Sequence, residues 1–192
     1  MIIKERHEIV IEKHPYYDSL NKKLMKDLES LEFFTPDSFL KYTNIQGLQT
    51  ISVKEKKRTS SMVLILEWVT QLLNNHIGFS LRTGAEEFGG KVKYNVWFAK
   101  YNKGDYTKVH HHLPAALLGF VYFVNSPPGS SPLVFSTSGK KIKAEEGKVV
   151  IFPSSIKHGV PFNRCKNRII MAGNIGFDLF PQLSEHQSIN KE

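Results

Sequence analysis

The sequence has very little cysteine: one residue, Cys165, in 192. One thiol cannot build an internal disulfide framework, which excludes the disulfide-rich secreted class. The chain is long enough to bury a core of its own, and 41% of its residues are hydrophobic, which argues against disorder. We expect Cys165, in the loop "PFNRCKN", to be incidental to function.

Long apolar runs are also missing. The longest are "MVLILEWV" (62–69) and "PAALLGFVYFV" (114–124), far short of the roughly 20 residues needed to cross a bilayer. The first ten residues, "MIIKERHEIV", mix apolar with charged residues and are followed by no small-residue cleavage site, so they do not resemble a signal peptide. We therefore expect a soluble, cytoplasmic protein with no membrane partner.

Acidic residues are fewer than basic ones. The sequence has 18 Asp and Glu and 26 Lys and Arg, which gives a net charge of +8. Basic clusters lie at "KEKKR" (54–58) and "GKKIK" (139–143). Such a balance helps an anionic substrate or a polyanion to approach. A solvated lysine-rich surface explains it equally well, so nucleic-acid binding stays open.

The hydrophobic period divides the chain into a mixed first half and a strand-rich second half. Residues 1–13 alternate as an edge strand would, whereas 17–31 and 60–76 space their apolar residues as one face of a helix requires. From residue 91, short β-rich runs are separated by turn residues, and Gly147 is available for a positive φ. The predicted runs are 91–101, 106–112, 117–124, 132–136, 140–145, 148–153, 158–162 and 168–175.

This pattern predicts a mainly β protein, an antiparallel barrel or jelly roll with N-terminal α-helices packed on its outer face. We expect one domain over 1–192. It would comprise an N-terminal strand and helices (1–80), the β core (81–176) and a tail (177–192).

The stretch "KVHHHLP" (108–114) contains three consecutive histidines. On a strand His110 and His112 share one face and His111 takes the other. Two imidazoles about 7 Å apart along a strand can converge on one divalent ion, and imidazole suits Fe, Zn, Cu and Ni. The pair alone is a weak motif and needs a third ligand.

His158 is the candidate third ligand, because it follows the apolar strand "GKVVIFPSSIK" at a bend. A hairpin from His158 back through Arg168 would place these two residues side by side on adjacent strands. An arginine in that place can pair bidentately with a carboxylate lying beside the metal.

With "WFAKYNKGDYTKVHHHLPAALLGFVYFV", "GKVVIFPSSIKHGV" and "NRIIMAGN", the chain resembles the Fe(II)/2-oxoglutarate-dependent oxygenases of tailed phages and marine bacteria. The resemblance covers about residues 80–176 and implies a double-stranded β-helix, or jelly-roll, core. It places the metal ligands at His110, His112 and His158, and the 2-oxoglutarate-binding arginine at Arg168. Other positions that fit the family pattern are Trp97, Gly104, Tyr106, Gly119, Tyr122 and Asn174.

The resemblance further implies Fe(II) as cofactor, with 2-oxoglutarate and O₂ as co-substrates. Such enzymes couple oxidative decarboxylation of 2-oxoglutarate to succinate with C–H hydroxylation of a second substrate, here a protein side chain, a nucleic acid or a small metabolite. The three histidines and Arg168 would be catalytic, and Tyr122, Asn174 and Tyr101 would line the co-substrate pocket beside Arg168. A core role for Tyr122 is equally open, and we assign Trp97 to the core. A phage-encoded member would work in the host-cell cytoplasm.

His112 departs from the wider pattern, because most such enzymes carry a carboxylate at this position. Three neutral imidazoles leave Fe(II) at +2, whereas two imidazoles and a carboxylate leave +1. Our hypothesis is that this site binds the metal more weakly and depends more strongly on dianionic 2-oxoglutarate to complete it. Asp105 lies in the turn "NKGDY", where we expect it to cap the turn.

Two alternatives stay open. A three-histidine cupin-type metalloprotein, including a zinc protein, would not use 2-oxoglutarate. A metal-stabilised jelly roll without catalysis could be a phage structural or nucleic-acid-binding module. Arg168 speaks against both, and the net charge weakly favours the second.

Overall fold

The computed structural model describes residues 7–35, 43–77 and 91–178. Within these ranges lie two α-helices, α1 (Tyr17–Asp27) and α2 (Ser60–Ile77), and eleven β-strands. The strands are β1 (Val10–Lys13), β2 (Ile45–Gln46), β3 (Leu48–Gln49), β4 (Lys91–Tyr101), β5 (Tyr106–His110), β6 (Leu118–Asn125), β7 (Leu133–Phe135), β8 (Lys140–Ile142), β9 (Lys148–Pro153), β10 (His158–Val160) and β11 (Arg168–Asp178).

The strands form two antiparallel sheets. The larger has the order β1-β9-β6-β11-β4-β3 and the smaller the order β2-β5-β10-β7-β8. This confirms the predicted mainly β jelly roll. The strand from 91 to 101 has its predicted bounds, and the run predicted at 106–112 ends as a strand at His110.

Two apolar clusters hold these layers together, one on each face of the larger sheet. The helices pack on its outer face, where Leu24 of α1 and Leu73 of α2 are fully buried with Tyr122 and Met171. The inner cluster fills the space between the sheets and includes Phe123, Phe135 and Ile170. The predicted position of the helices on the outer face is confirmed.

The N-terminal part contributes more than helices. Strand β1 pairs with β9, β3 extends the larger sheet beside β4, and β2 extends the smaller sheet beside β5. The β architecture therefore recruits residues from before position 81. Residues 1–6 of the predicted edge strand, and residues 179–192 of the predicted tail, lie outside the described residues.

Gly147 has the positive φ that the turn before β9 requires, +79°. A Cβ at this position would lie 2.2 Å from Cβ of Tyr17, so both the backbone conformation and the close approach of α1 call for glycine. In the described part of the chain, no helix is long and apolar enough to cross a membrane.

The prediction that His158 and Arg168 lie on adjacent strands of one hairpin is wrong. Strand β10 pairs with β5 and β7 in the smaller sheet, whereas β11 pairs with β4 and β6 in the larger one. Both neighbours of β10 are strands of the smaller sheet, so β11 cannot pair with it. The segment between β10 and β11 therefore crosses from the smaller sheet to the larger one. The two residues face the same interior from opposite walls.

Candidate metal centre

Three histidine side chains meet at one end of the space between the sheets. The candidate ligand atoms of His110, His112 and His158 all lie within 4.8 Å of one another. The ring centroids are 4.4 Å apart for His110 and His158, and 5.0 Å apart for His112 and His158. Three imidazoles that converge in this way suit a divalent transition metal.

Backbone carbonyls fix the proton on two of these rings. Nδ1 of His110 lies 2.8 Å from the Lys108 carbonyl oxygen, and Nδ1 of His158 lies 2.9 Å from that of Ile156. A carbonyl only accepts, so each Nδ1 donates and the neutral ring keeps the lone pair on Nε2. This arrangement orients imidazole ligands in metal sites.

Strand geometry and one loop contact position the three rings. His110 and His158 are direct partners across β5 and β10, next to an irregularity in register that separates them from the Thr107–Val160 pair. His112 lies beyond the end of β5, and its backbone N–H donates to the Ser154 carbonyl oxygen at 2.9 Å. The loop after β9, rather than strand pairing, therefore places the second histidine of the pair.

Burial keeps these imidazoles neutral. It lowers the pKa of His158 to about 3, against the opposing effect of its hydrogen bond to Ile156 and with help from the neighbouring histidines. Burial also lowers the pKa of His112 to about 4, and repulsion by His110 adds to this. Neutral imidazole is the form that binds metal, so the cluster is ready to bind at neutral pH.

We expect the metal-free protein to lose stability steeply on mild acidification. The unfolded chain takes up protons at His112 and His158 below their ordinary pKa near 6.5, whereas the folded protein does so only near 4 and 3. The free energy of unfolding should fall by roughly 1 kcal/mol per pH unit for each residue in this window. Urea unfolding in chelator at pH 7, 6 and 5 measures it, and His158→Asn should flatten the slope. An unchanged slope in that variant would contradict the assignment.

Arg168 lies at the other end of the same cavity and is fully buried. Its Nε donates to the Ser131 carbonyl oxygen at 3.1 Å, but neither Nη1 nor Nη2 has a hydrogen-bond partner among the described residues. Burial lowers its pKa from the ordinary value, yet a guanidinium keeps its charge in proteins. A buried, unpartnered cation is costly unless an anion pairs with it.

Aromatic and hydroxyl groups surround this guanidinium. Its Cζ lies 4.6 Å from the Tyr101 ring centroid and 5.6 Å from that of Phe123. The Tyr101 hydroxyl lies 2.7 Å from the Thr107 hydroxyl. His110 follows Thr107 by three residues on β5, roughly 10 Å along the strand, a separation that a short dicarboxylate can bridge.

The structure brings together most, but not all, of the residues singled out in the sequence. The three histidines, Arg168 and Tyr101 line one cavity. Tyr122 does not reach it: its side chain lies on the outer face of the larger sheet, where the hydroxyl donates to Asn21 Oδ1 at 2.7 Å. Strand β6 is buried on both faces, so its composition does not reveal which residues face inward.

Three further positions concern the predicted metal site. Asn174 lies on the inner face of β11, two residues beyond the cavity-lining Ala172. His111 is exposed, and its Nδ1 accepts a hydrogen bond from the Leu113 N–H. Asp105 caps its turn, accepting a hydrogen bond from the Asn102 N–H at 2.7 Å.

Sequence reasoning missed two contributors to this cavity. Trp97 packs against the inner core cluster, as the sequence predicts, but it also lines the cavity, with its ring centroid 6.4 Å from that of His112. Ser131 anchors Arg168 through a backbone carbonyl, and a backbone contact leaves no signal in residue identity. For Trp97 the signal was available, because it has the same parity as Tyr101 on β4.

Solved structures with the same fold include oxygenases. A collagen prolyl hydroxylase from Paramecium bursaria Chlorella virus-1, in its 2-oxoglutarate complex, is 18% identical with a TM-score of 0.60, over 86% of this chain and 94% of that one. A Pseudomonas putida prolyl-4-hydroxylase is 17% identical with a TM-score of 0.63, over 88% and 92%. A Trichoplax adhaerens prolyl hydroxylase, in complex with a hypoxia-inducible-factor peptide fragment, is 13% identical with a TM-score of 0.55, over 96% and 87%.

No protein-family model matches the sequence, and no curated protein matches it. The similarity to these solved structures therefore concerns the fold. The chain has the jelly-roll fold of the prolyl hydroxylases and of other 2-oxoglutarate- and Fe(II)-dependent oxygenases.

Proposed function

We propose that this protein is a non-haem Fe(II)- and 2-oxoglutarate-dependent dioxygenase that hydroxylates a C–H bond of a second substrate. The observation that carries the proposal is the buried guanidinium of Arg168, whose Nη atoms have no partner among the described residues, in the same cavity as three converging histidines. A three-histidine metalloprotein that binds no dicarboxylate has no use for such a cation. Among the described residues that line the cavity, none is an Asp or Glu that could neutralise it.

The residues present fit the metal and the co-substrate. His110, His112 and His158 would hold Fe(II), and the carbonyls of Lys108 and Ile156 orient two of these ligands. Bound Fe(II), with 2-oxoglutarate and O₂, supplies the oxidation that couples decarboxylation to succinate with substrate hydroxylation. Three neutral ligands leave the divalent charge uncompensated by protein, so the co-substrate dianion would balance it.

The chain's own residues bind and shield the co-substrate. Arg168 would bind its far carboxylate through Nη1 and Nη2, and this pairing would satisfy the two unpartnered groups. The Tyr101 ring lies 4.6 Å from the guanidinium carbon and makes a cation–π contact with it. Apolar side chains between the two ends, among them Leu133, Phe152 and Val160, keep water away from the pairing.

For the second substrate we propose a polypeptide. The solved structures with this fold include prolyl hydroxylases, one of them bound to a peptide. The surface charge also favours a macromolecular or acidic partner, since Lys140, Lys141 and Lys143 are all exposed on or beside β8. A nucleic acid is the competing substrate class.

The decisive test is anaerobic addition of Fe(II) and 2-oxoglutarate. We expect a visible charge-transfer band that needs both components, because the band reports chelation of the metal by the keto acid. Admitting O₂ should then release succinate, slowly without substrate and faster with it. Tightly bound zinc, with no band and no succinate, would instead identify a three-histidine metalloprotein that does not use 2-oxoglutarate.

A further inference from the structure

Two polar side chains at the metal end of the inner face lack partners. Trp97 Nε1 and Asn174 Oδ1 are both buried, and neither has a hydrogen-bond partner among the described residues. Trp97 lines the cavity beside His112. Native proteins rarely leave buried polar atoms unpaired, and those that are unpaired call for an explanation such as a bound molecule.

Strand register places these two groups together. Trp97 is the direct partner of Ala172, so Asn174 is its diagonal neighbour on the same face of the sheet. Asn174 also pairs with Gly119, and a Cβ at Gly119 would lie 3.5 Å from Cδ2 of His112. The inner face at Asn174 is therefore the face that His112 approaches, and glycine at 119 leaves room there.

Asn174 lies too far from Arg168 to share its ligand. Asn174 follows Arg168 by six residues on β11, about 20 Å along the strand. A co-substrate anchored at Arg168 and extending to the histidines ends before this point. A group that binds both Trp97 and Asn174 would therefore belong to the second substrate.

We propose that Trp97 and Asn174 form a substrate subsite that binds an amide group of a polypeptide. The indole N–H only donates, so its partner must accept, whereas Asn174 Oδ1 needs a donor. A peptide amide presents a C=O and an N–H side by side.

The chemistry of the pair disfavours anionic groups. A carboxylate or a phosphate could accept from Trp97 but has no hydrogen to donate to Asn174 Oδ1. The neighbouring surface is apolar, formed by Val121, Phe152 and Ala172, which suits a peptide segment. The inference rests on the proposed function, because it takes the molecule beyond the co-substrate to be the one hydroxylated.

The test uses the indole N–H signals of the full chain, which has only two tryptophans. The protein is loaded with Zn(II) and 2-oxoglutarate, which permits binding without turnover, and Trp68→Phe assigns the two signals. We expect N-acetylalanine methylamide to shift the Trp97 signal saturably and to leave the Trp68 signal in place, because Trp68 lies on α2 at the outer face.

Asn174→Leu should weaken the apparent affinity for this probe about fivefold or more, the effect of one lost hydrogen bond of about 1 kcal/mol. Asn75→Leu makes the same change on the exposed side of α2 and should leave the affinity unchanged. An equal affinity in Asn174→Leu and wild type would overturn the proposal.

Two other outcomes would also overturn it. A Trp97 shift caused by 2-oxoglutarate alone, with none from the amide, would assign the pair to the co-substrate. A shift caused by adenosine monophosphate but not by the amide would assign it to a nucleic-acid substrate. The measurement needs neither iron nor oxygen, so it can fail while the charge-transfer band and succinate are observed, and it can succeed when they are not.

Discussion

Replacing Arg168 with methionine should weaken 2-oxoglutarate binding by about 100-fold or more. Truncating one partner of a buried, hydrogen-bonded charge pair typically costs several kcal/mol, and Nη1 and Nη2 of Arg168 are the unpartnered donors at the base of the cavity. The histidines lie at the other end, so metal affinity without co-substrate should be unchanged. Calorimetric titration of the metal-loaded protein with 2-oxoglutarate measures the effect.

The same substitution should leave the free energy of unfolding equal or higher in the absence of ligands. Methionine is apolar and unbranched, and replacing a buried charge by an apolar side chain of similar volume is often neutral or stabilising. Arg164→Met, at an exposed position in the preceding loop, is the matched control and should alter neither binding nor stability. An Arg168→Met protein that is folded and binds 2-oxoglutarate normally would exclude this arginine as the anchor.

Alanine substitutions in the run of three histidines should distinguish the candidate ligand His112 from its neighbour His111. His112→Ala should weaken metal binding by about 100-fold or more, because even residues that only orient a ligand cost 10- to 100-fold when lost. His111→Ala should have no measurable effect, since that ring is exposed and contacts the Leu113 backbone. Fluorescence competition with a chelating indicator measures both affinities.

His112→Asp tests the charge hypothesis in the same series. A carboxylate lowers the net charge of the site by one, so this variant should bind Fe(II) at least as tightly as wild type without 2-oxoglutarate. The gain in metal affinity on adding 2-oxoglutarate should then be smaller than in wild type, because less charge is left to balance. If 2-oxoglutarate does not alter the Fe(II) affinity of the wild-type protein, the hypothesis is wrong.

Much of the fold follows from sequence patterns that repeat over many residues. The helix at 60–77 keeps Met62, Val69 and Leu73 on one buried stripe, and a single apolar face is what the period predicts. Turn residues separate the strands from 91 onward, so the positions of most of these strands could be predicted. The partner of β10 could not be predicted in this way, because a three-residue strand has too few residues to encode its neighbours.

The sequence by itself indicated the candidate ligands, their spacing and the arginine, because an H-x-H pair, a later histidine and a following arginine can be recognised from residue identities alone. Only the tertiary structure decided which face of each strand looks inward. Strand β6 is buried on both faces, so its sequence shows no alternation of apolar and polar residues. The pattern therefore could not distinguish Tyr122, on the outer face, from Phe123, on the inner face. Arg168 and Trp97 have polar atoms without partners among the described residues, and this likewise depends on how the two sheets pack.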